Sequence, residues 1–278
     1  MEMEDTDFWR NVSYQIINEV EKAISPFIGE KKSGENVKMG ADGTPTKLID
    51  QIAEEKVIEV LKNCGKTVIL VSEEIGEVKI GEGDVEAIFI VDPLDGTVNA
   101  IKNIPAYAIS IAIAFSNKST HLTSINDVKM GFVKNLATGD VYEAIKGTGA
   151  YVNGENITPS SQEKVSGSSI GAYIRGSKAW QLNELFNIVR RIRLLGSVAI
   201  ELCYVASGTY DAFLDIRGNL RIVDIAAAKL IIEESGGIVT DENGNELNNK
   251  LNVKERTSII ASCNFNIHKD LMRILGVL

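Results

Sequence analysis

Histidine is almost missing from this chain: 278 residues contain two, His121 and His268. Both lie outside every motif described below. Phosphohistidine chemistry is left without a carrier, and both read as surface or packing residues. Cysteine is scarce as well. Cys64, Cys203 and Cys263 are far apart, odd in number and without CxxC spacing. That excludes a disulfide framework or a zinc site and points to buried, reduced thiols. No apolar run reaches the length of a membrane span. An excess of basic residues is absent too: 29 Lys and Arg against 38 Asp and Glu give a net charge of -9. A nucleic-acid surface would need a basic patch. The opening residues Met1-Glu2-Met3-Glu4-Asp5 are acidic, the wrong sign for a secretory leader. The expectation is a cytoplasmic protein.

What is present is an ordinary globular balance, 44% hydrophobic and 24% charged. The length suits one large domain or two of usual size. Apolar residues at helical spacing predict helices over 7–28 and 46–63, separated by a polar loop at 30–43. Strands are expected at 67–71, 87–91, 106–115, 127–134 and 140–146, the last two joined as a hairpin. A Ser-rich stretch at 158–169 reads as a boundary between a domain over 1–157 and one over 158–278. Beyond it, strands are expected at 169–174, 192–195, 212–215, 238–240 and 258–261. Helices are expected at 197–207, 223–235 and 266–275. Gly236-Gly237 makes a good helix stop. Strands in series followed by alternating helix and strand suggest an antiparallel-rich half joined to an α/β half.

The chemistry concentrates in Asp92-Pro93-Leu94-Asp95-Gly96-Thr97, which follows the wholly apolar run Ala87-Ile88-Phe89-Ile90-Val91. That run reads as a buried strand, and the Pro and Gly after it as a turn. Two carboxylates three residues apart at such a place raise each other's proton affinity unless a cation lies between them. A hard divalent ion such as Mg²⁺ takes oxygen ligands and relieves the repulsion. Other acids compete for notice. Glu73-Glu74 follows the strand at 67–71, and a solvated turn is the plain alternative. Asp224 opens a helix in the apolar string Ile222-Val223-Asp224-Ile225-Ala226, where capping is the plain alternative. Asp50 lies in the second helix. The glycine and first amides of Gly96-Thr97-Val98 can cradle a phosphate, as can those of Gly196-Ser197-Val198. An acidic protein that binds phosphate through metal is self-consistent, because bound cations then dominate the local charge.

Taken together, Glu73-Glu74, the hexapeptide from Asp92 to Thr97 and Val223-Asp224-Ile225-Ala226-Ala227 resemble the signatures of the inositol monophosphatase family, the lithium-sensitive, Mg²⁺-dependent sugar phosphatases. The resemblance runs along nearly the whole chain. It includes Asp50, the hairpin from Ala137 to Ala144, the segment from Lys146 to Gly154, and Glu234-Ser235-Gly236-Gly237. Gly40-Ala41-Asp42-Gly43-Thr44-Pro45-Thr46-Lys47 and the stretch from Asp215 to Asp224 are similar to the archaeal branch that hydrolyses both fructose 1,6-bisphosphate and inositol 1-phosphate. Animal-type members carry Trp where this chain has Val223.

The resemblance implies a layered αβαβα sandwich, an α+β to α/β fold, that commonly forms a homodimer. It implies two or three Mg²⁺ ions. Glu73, Asp92 and the carbonyl of Leu94 would hold one; Asp92, Asp95 and Asp224 would hold a second; Glu74 would assist a third. Thr97, with Asp50 behind it, would orient and deprotonate the attacking water, and Glu73 could share that proton. The amides of Gly96 and Thr97 would bind phosphate beside Asp95. Gly196, Ser197 and Asp215, with Tyr173, Arg175 and Arg193, would contact the sugar or a second phosphate. Three other readings stay open: a phosphatase with an aspartyl nucleophile, a 3′-phosphoadenosine 5′-phosphate phosphatase on the same scaffold, and a metal-binding protein without catalysis.

Overall fold

The structure is a computed structural model that describes residues 3–41, 43–115, 123–173 and 179–278. In chain order its elements are α1 (Met3–Ile24), β1 (Asn36–Met39), β2 (Pro45–Lys47), α2 (Leu48–Asn63), β3 (Val68–Ser72), β4 (Gly76–Ile80), β5 (Ala87–Asp95), α3 (Thr97–Ile101), β6 (Ala108–Ala114), β7 (Val128–Asn135) and β8 (Val141–Ile145). They continue with β9 (Ala150–Val152), β10 (Glu155–Asn156), β11 (Ser169–Ala172), α4 (Asn183–Ile188), β12 (Arg191–Arg193), α5 (Val198–Ala206), β13 (Ala212–Arg221), α6 (Ile222–Ser235), β14 (Ile238–Thr240), β15 (Arg256–Ser262) and α7 (Phe265–Ile274).

Two large sheets result, one of eight strands in the order β10-β9-β8-β7-β6-β5-β3-β4 and one of five in the order β12-β11-β13-β15-β14. One core lies between the first sheet and α1 with α2, where Ile16, Val20, Ile49, Val57 and Leu61 meet Leu70, Phe89 and Ile111. A second lies between the two sheets and is filled by α5 and α6. A third lies under α7, where Ile267 and Leu271 meet Leu214 and Ile260. The layers therefore alternate αβαβα.

The middle layer explains the odd sequence of α6. Every side chain over 222–232 is buried. A helix that is apolar all round belongs between two partners. The run Ala226-Ala227-Ala228 lets it approach the first sheet so closely that a Cβ on Gly131 of β7 would lie 2.7 Å from the carbonyl oxygen of Ala227.

Some expectations shift. The strand expected at 87–91 continues through Pro93 to Asp95. The first four residues of the hexapeptide extend the strand as a bulge, and the turn comes only at Gly96: Asp92 faces Ser110 and Asp95 faces Ala108, so β5 spends one residue more than β6 there. Proline is tolerated in a bulge because no ladder hydrogen bond is required of it. Gly96, at φ +87°, ends the strand. The strand at 212–215 likewise runs on to Arg221, with the extra residues between Asp215 and Leu220 bulging out of register. The polar loop at 30–43 contains β1, which pairs with β2 as a hairpin leading into α2. The helix over 7–28 starts earlier and stops at Ile24, where Pro26 turns the chain into a single tight 3-10 turn. β4, β9, β10 and α4 have no counterpart among the elements expected from the sequence.

Candidate active site

Strand register brings the distant acids together. β3 and β5 are parallel neighbours, with Ser72 opposite Val91. Their carboxyl ends coincide, so Glu73-Glu74 emerges beside Asp92. The ends of neighbouring parallel strands are where open sheets gather ligands. α2 delivers Asp50 from one face, and the β13–α6 junction delivers Asp224 from the other.

Asp224, Glu73 and Asp92 meet at the guanidinium of Arg221, the last residue of β13. Its Nη2 is 2.9 Å from Asp224 Oδ1 and 3.9 Å from Asp92 Oδ2, and its Nη1 pairs with Glu73 Oε1. The capping and ligand readings of Asp224 turn out to be compatible. Oδ2 accepts the Arg221 backbone N–H at 3.2 Å while Oδ1 faces the cluster. Asp50 behaves in the same way. Its Oδ2 accepts the Lys47 backbone N–H at 3.2 Å, and its Oδ1 accepts the Thr97 hydroxyl at 2.8 Å. Thr97 Oγ1 also lies 3.1 Å from the Leu94 carbonyl. Asp95 is held from the second half of the chain, its Oδ2 accepting Ser197 Oγ–H and Ala199 N–H, both at 2.7 Å.

The electrostatics follow from this crowding. Burial pushes the Asp92 carboxyl well above the usual range, and Glu73, Asp95 and Asp224 push it further. Asp95 rises to about 6 through burial and then Asp224, while the two donors at its Oδ2 oppose the rise. Asp50 rises to about 6 through burial, which outweighs the Thr97 hydroxyl. For Arg221, burial alone would weaken its hold on the proton, but Asp224, Glu73 and Asp92 reverse this.

Whether these residues suit a divalent cation can be tested on the atoms themselves. Asp92 Oδ2 is buried and has no hydrogen-bond partner. The surrounding donors are oxygens, the set that hard cations take. A Cβ on Gly96 would lie 2.8 Å from the Ala106 carbonyl, so glycine, at φ +87°, is what lets the chain pack against the 106–107 backbone at this corner. Among the described residues no three acids, imidazoles or thiols already enclose a single point; the Arg221 guanidinium stands among them. The site fits a hard cation, with a resident positive group in the way.

The remaining expected residues fall at different distances from this centre. Glu74 is buried and accepts the Thr46 hydroxyl of β2. Asp215 is buried and forked by Arg217, with Nε 2.9 Å from Oδ1 and Nη2 2.5 Å from Oδ2. Arg217 in turn stacks 4.2 Å above the Tyr173 ring. Burial, then Asp95 and Glu201, raise the Tyr173 phenol. Gly196 sits at φ +88° and donates its N–H to Glu201 Oε2 at 3.2 Å. Arg193, exposed on the edge strand β12, lies over Tyr210 and not over the acids. Arg175 lies outside the described residues, as does His121. His268 is a packing residue, with Nδ1 2.7 Å from Ser262 Oγ and Nε2 3.1 Å from Thr240 Oγ1.

Three residues of the site were not singled out from sequence: Arg221, Arg217 and Glu201. Arg221 left a signal, a lone base three positions before Asp224 in an otherwise apolar string. Glu201 is the only acid of α5, and that was the clue. Burial drives its carboxyl up to about 7, while the Leu195 and Gly196 backbone N–H groups oppose the rise. The unfolded chain has an ordinary carboxyl near 4.3. The folded form therefore binds the extra proton, and this contribution to stability is full below about 4 and lost as pH rises through about 7. Glu201→Gln should remove a loss on the order of 3 kcal/mol between those limits. Guanidinium unfolding of the ion-free protein at pH 5 and pH 8 checks this: both should weaken at the higher pH, because Asp50, Asp92 and Asp95 titrate in each, and the variant by up to about 3 kcal/mol less. Equal slopes for the two would contradict it.

A family model for the inositol monophosphatase family matches residues 5–275. A fructose-1,6-bisphosphatase/inositol-1-monophosphatase of Methanothermobacter thermautotrophicus is 52% identical, with all of both chains covered. A bifunctional NADP phosphatase/NAD kinase of Methanocaldococcus jannaschii is 42% identical, over 95% of this chain and 50% of that protein. The crystal structure of an inositol monophosphatase–fructose 1,6-bisphosphatase superposes with a TM-score of 0.84 at 36% identity, covering 97% of this chain and 99% of the other. The chain belongs to the inositol monophosphatase family, and with it to the phosphoric monoester hydrolases. Among the described residues no helix is long and apolar enough to cross a membrane.

Proposed function

We propose that this protein is a Mg²⁺-dependent phosphatase of small sugar and polyol phosphates, fructose 1,6-bisphosphate and inositol 1-phosphate foremost. The observation that supports the reading is the convergence of Glu73, Asp92 and Asp224 on the guanidinium of Arg221, beside the Thr97–Asp50 pair. Glu73, Asp92 and the Leu94 carbonyl would hold one ion, Asp92, Asp95 and Asp224 a second, with Glu74 behind a third. Bound there, Mg²⁺ would acidify water and neutralise charge on the phosphoryl oxygens.

The chain's own residues supply the rest. Thr97 Oγ1 donates its hydrogen bond to Asp50 Oδ1, which leaves an oxygen lone pair to orient the attacking water. As the water attacks phosphorus, its proton passes to Thr97 and that of Thr97 to Asp50; Glu73 is a second acceptor. At about 6, Asp50 is ionised at neutral pH yet basic enough to take a proton. The amides of Gly96 and Thr97 would bind the phosphate at the start of α3, whose first internal bond runs from Asn99 N–H to the Gly96 carbonyl at 2.8 Å. Tyr173 and Asp215 would border the sugar, with Ser197 behind them bonded to Asp95. On this assignment Glu73, Asp92, Asp95 and Asp224 are all committed to metal, which argues against a phosphoenzyme. We take a homodimer as the assembly, on the family resemblance, and the cytoplasm as the place of action.

A second substrate class has a specific support, the 42% identity with a protein named for NADP phosphatase activity. One panel separates the readings. Phosphate release with Mg²⁺ is measured on fructose 1,6-bisphosphate, inositol 1-phosphate, glucose 1-phosphate, 3′-phosphoadenosine 5′-phosphate and NADP. The expected result is the highest kcat/KM on the first two. Preference for either nucleotide would move the assignment to ribose-linked phosphates, and no release from any of them would leave a binding protein.

A further inference from the structure

The acidic cluster already has a cation, and it belongs to the chain. Arg221 Nε lies 3.0 and 3.1 Å from the two Asp224 oxygens, Nη2 is 2.9 Å from Asp224 Oδ1, and Nη1 is paired with Glu73. The side chain is largely buried, at 21% exposure. It grows from the junction of β13 and α6, two long elements, so it is offered to the acids from a fixed base. Its charge cannot be lost by deprotonation, unlike that of lysine or histidine. One positive charge is nonetheless a poor match for Glu73, Asp92, Asp95 and Asp224. Asp92 Oδ2 is 3.9 Å from Nη2, beyond hydrogen-bond reach, and has no other partner.

The oxygens that Arg221 grips are the oxygens a divalent ion needs. Asp224 and Glu73 fall on opposite sides of the assignment given above, one in each ion position, and Asp92 is shared. A guanidinium and a doubly charged ion cannot use the same lone pairs, and at such separations they repel. We propose that Arg221 is a tethered counter-cation: it holds the ion-free site together, and divalent ions load only by displacing it. This rests on reading the cluster as a metal site. It adds that the apparent affinity for Mg²⁺ is set partly by competition within the chain, and that loading and departure of the guanidinium are one event. By linkage, a protein stabilised by its own cation when ion-free has less to gain from an added one.

The test is Mg²⁺ titration of the ion-free protein by calorimetry, without substrate, on wild type and Arg221→Gln, with thermal unfolding of both. Glutamine keeps length and polarity and removes the charge. The expected result has three parts. The variant binds Mg²⁺ at least about tenfold tighter, its ion-free form melts at a lower temperature than the wild type, and its Mg²⁺-induced rise in melting temperature is the larger of the two. Should the ion-free variant be too unstable to titrate, it is prepared with Mg²⁺, and the chelator concentration that strips the ion is compared with that for wild type; a higher requirement is expected. Binding by both proteins with no gain in the variant would overturn the role of Arg221 and leave the metal site standing. Binding by neither would overturn both.

Discussion

Replacing Asp92 by asparagine should abolish Mg²⁺-dependent phosphate release while the fold survives. On the proposed assignment Asp92 is the acid common to both ion positions, so its loss would remove a ligand from each. Each ion contributes several kcal/mol to a charged transition state, which puts the expected fall in kcat/KM at about four orders of magnitude or more. The fold survives because the substitution is nearly isosteric and keeps the local bond: Asp92 Oδ1 accepts the Leu94 N–H at 3.0 Å, and the asparagine carbonyl can do the same. The ion-free variant should even be more stable than the ion-free wild type, by about 1–3 kcal/mol, since a buried oxygen with no donor is costly when charged. Mg²⁺ at a hundred times its Kd should stabilise the wild type by about 2.7 kcal/mol and the variant hardly at all. Melting curves with and without Mg²⁺, beside a phosphate assay, decide the matter. Normal turnover by Asp92→Asn would remove the residue from the site and the site from the mechanism.

How much of this could be read in the sequence depends on which force places each residue. The αβαβα order was legible through resemblance, and the core strands through apolar runs, because burial on both faces leaves a continuous signature, as in 87–91. The all-round apolar character of α6 was equally visible. The bulge at Pro93-Leu94 was not: the local pair of Pro and Gly is a turn signal, and only the pairing with β6 shows that the strand carries on through it. The hairpin of β1 and β2 was hidden by its exposure, since a polar strand on no core carries no alternating pattern. At the site, the acids announced themselves as a set. Their partners did not. Ser197 was expected at the sugar and is bonded to Asp95, a contact across 102 positions of chain. Arg221 was overlooked because a single base near an acid is ordinary helix-start chemistry. Its approach to Glu73 and Asp92 depends on strand register, which no local pattern reports.

Thr97→Ala should separate catalysis from metal binding. The methyl and the backbone stay, so the acids keep their places and Mg²⁺ affinity should be nearly unchanged. What disappears is the hydroxyl between Asp50 and the attacking water, and a well-placed general base is worth about 10²–10⁴ in rate. The loss should appear in kcat, with KM little altered. Stability should fall by about 1 kcal/mol, since Asp50 Oδ1 loses its donor at 2.8 Å. The pH profile distinguishes a relay from a mere structural contact. Asp50, held at about 6 by burial, must be ionised to receive the proton. Wild-type kcat should therefore be full above that value and fall as pH drops through it. In Thr97→Ala the hydroxyl that opposes the effect of burial is gone, so the Asp50 carboxyl rises further, but it no longer communicates with the water; at saturating Mg²⁺, which holds Asp92 and Asp95 ionised, the acid limb near 6 should flatten. Thr97→Ser, which keeps the hydroxyl, should restore both the rate and the limb. If the alanine variant retained wild-type kcat, or kept the same limb at a reduced rate, Asp50 would be no more than the cap of α2, and the proton would have to leave by way of Glu73.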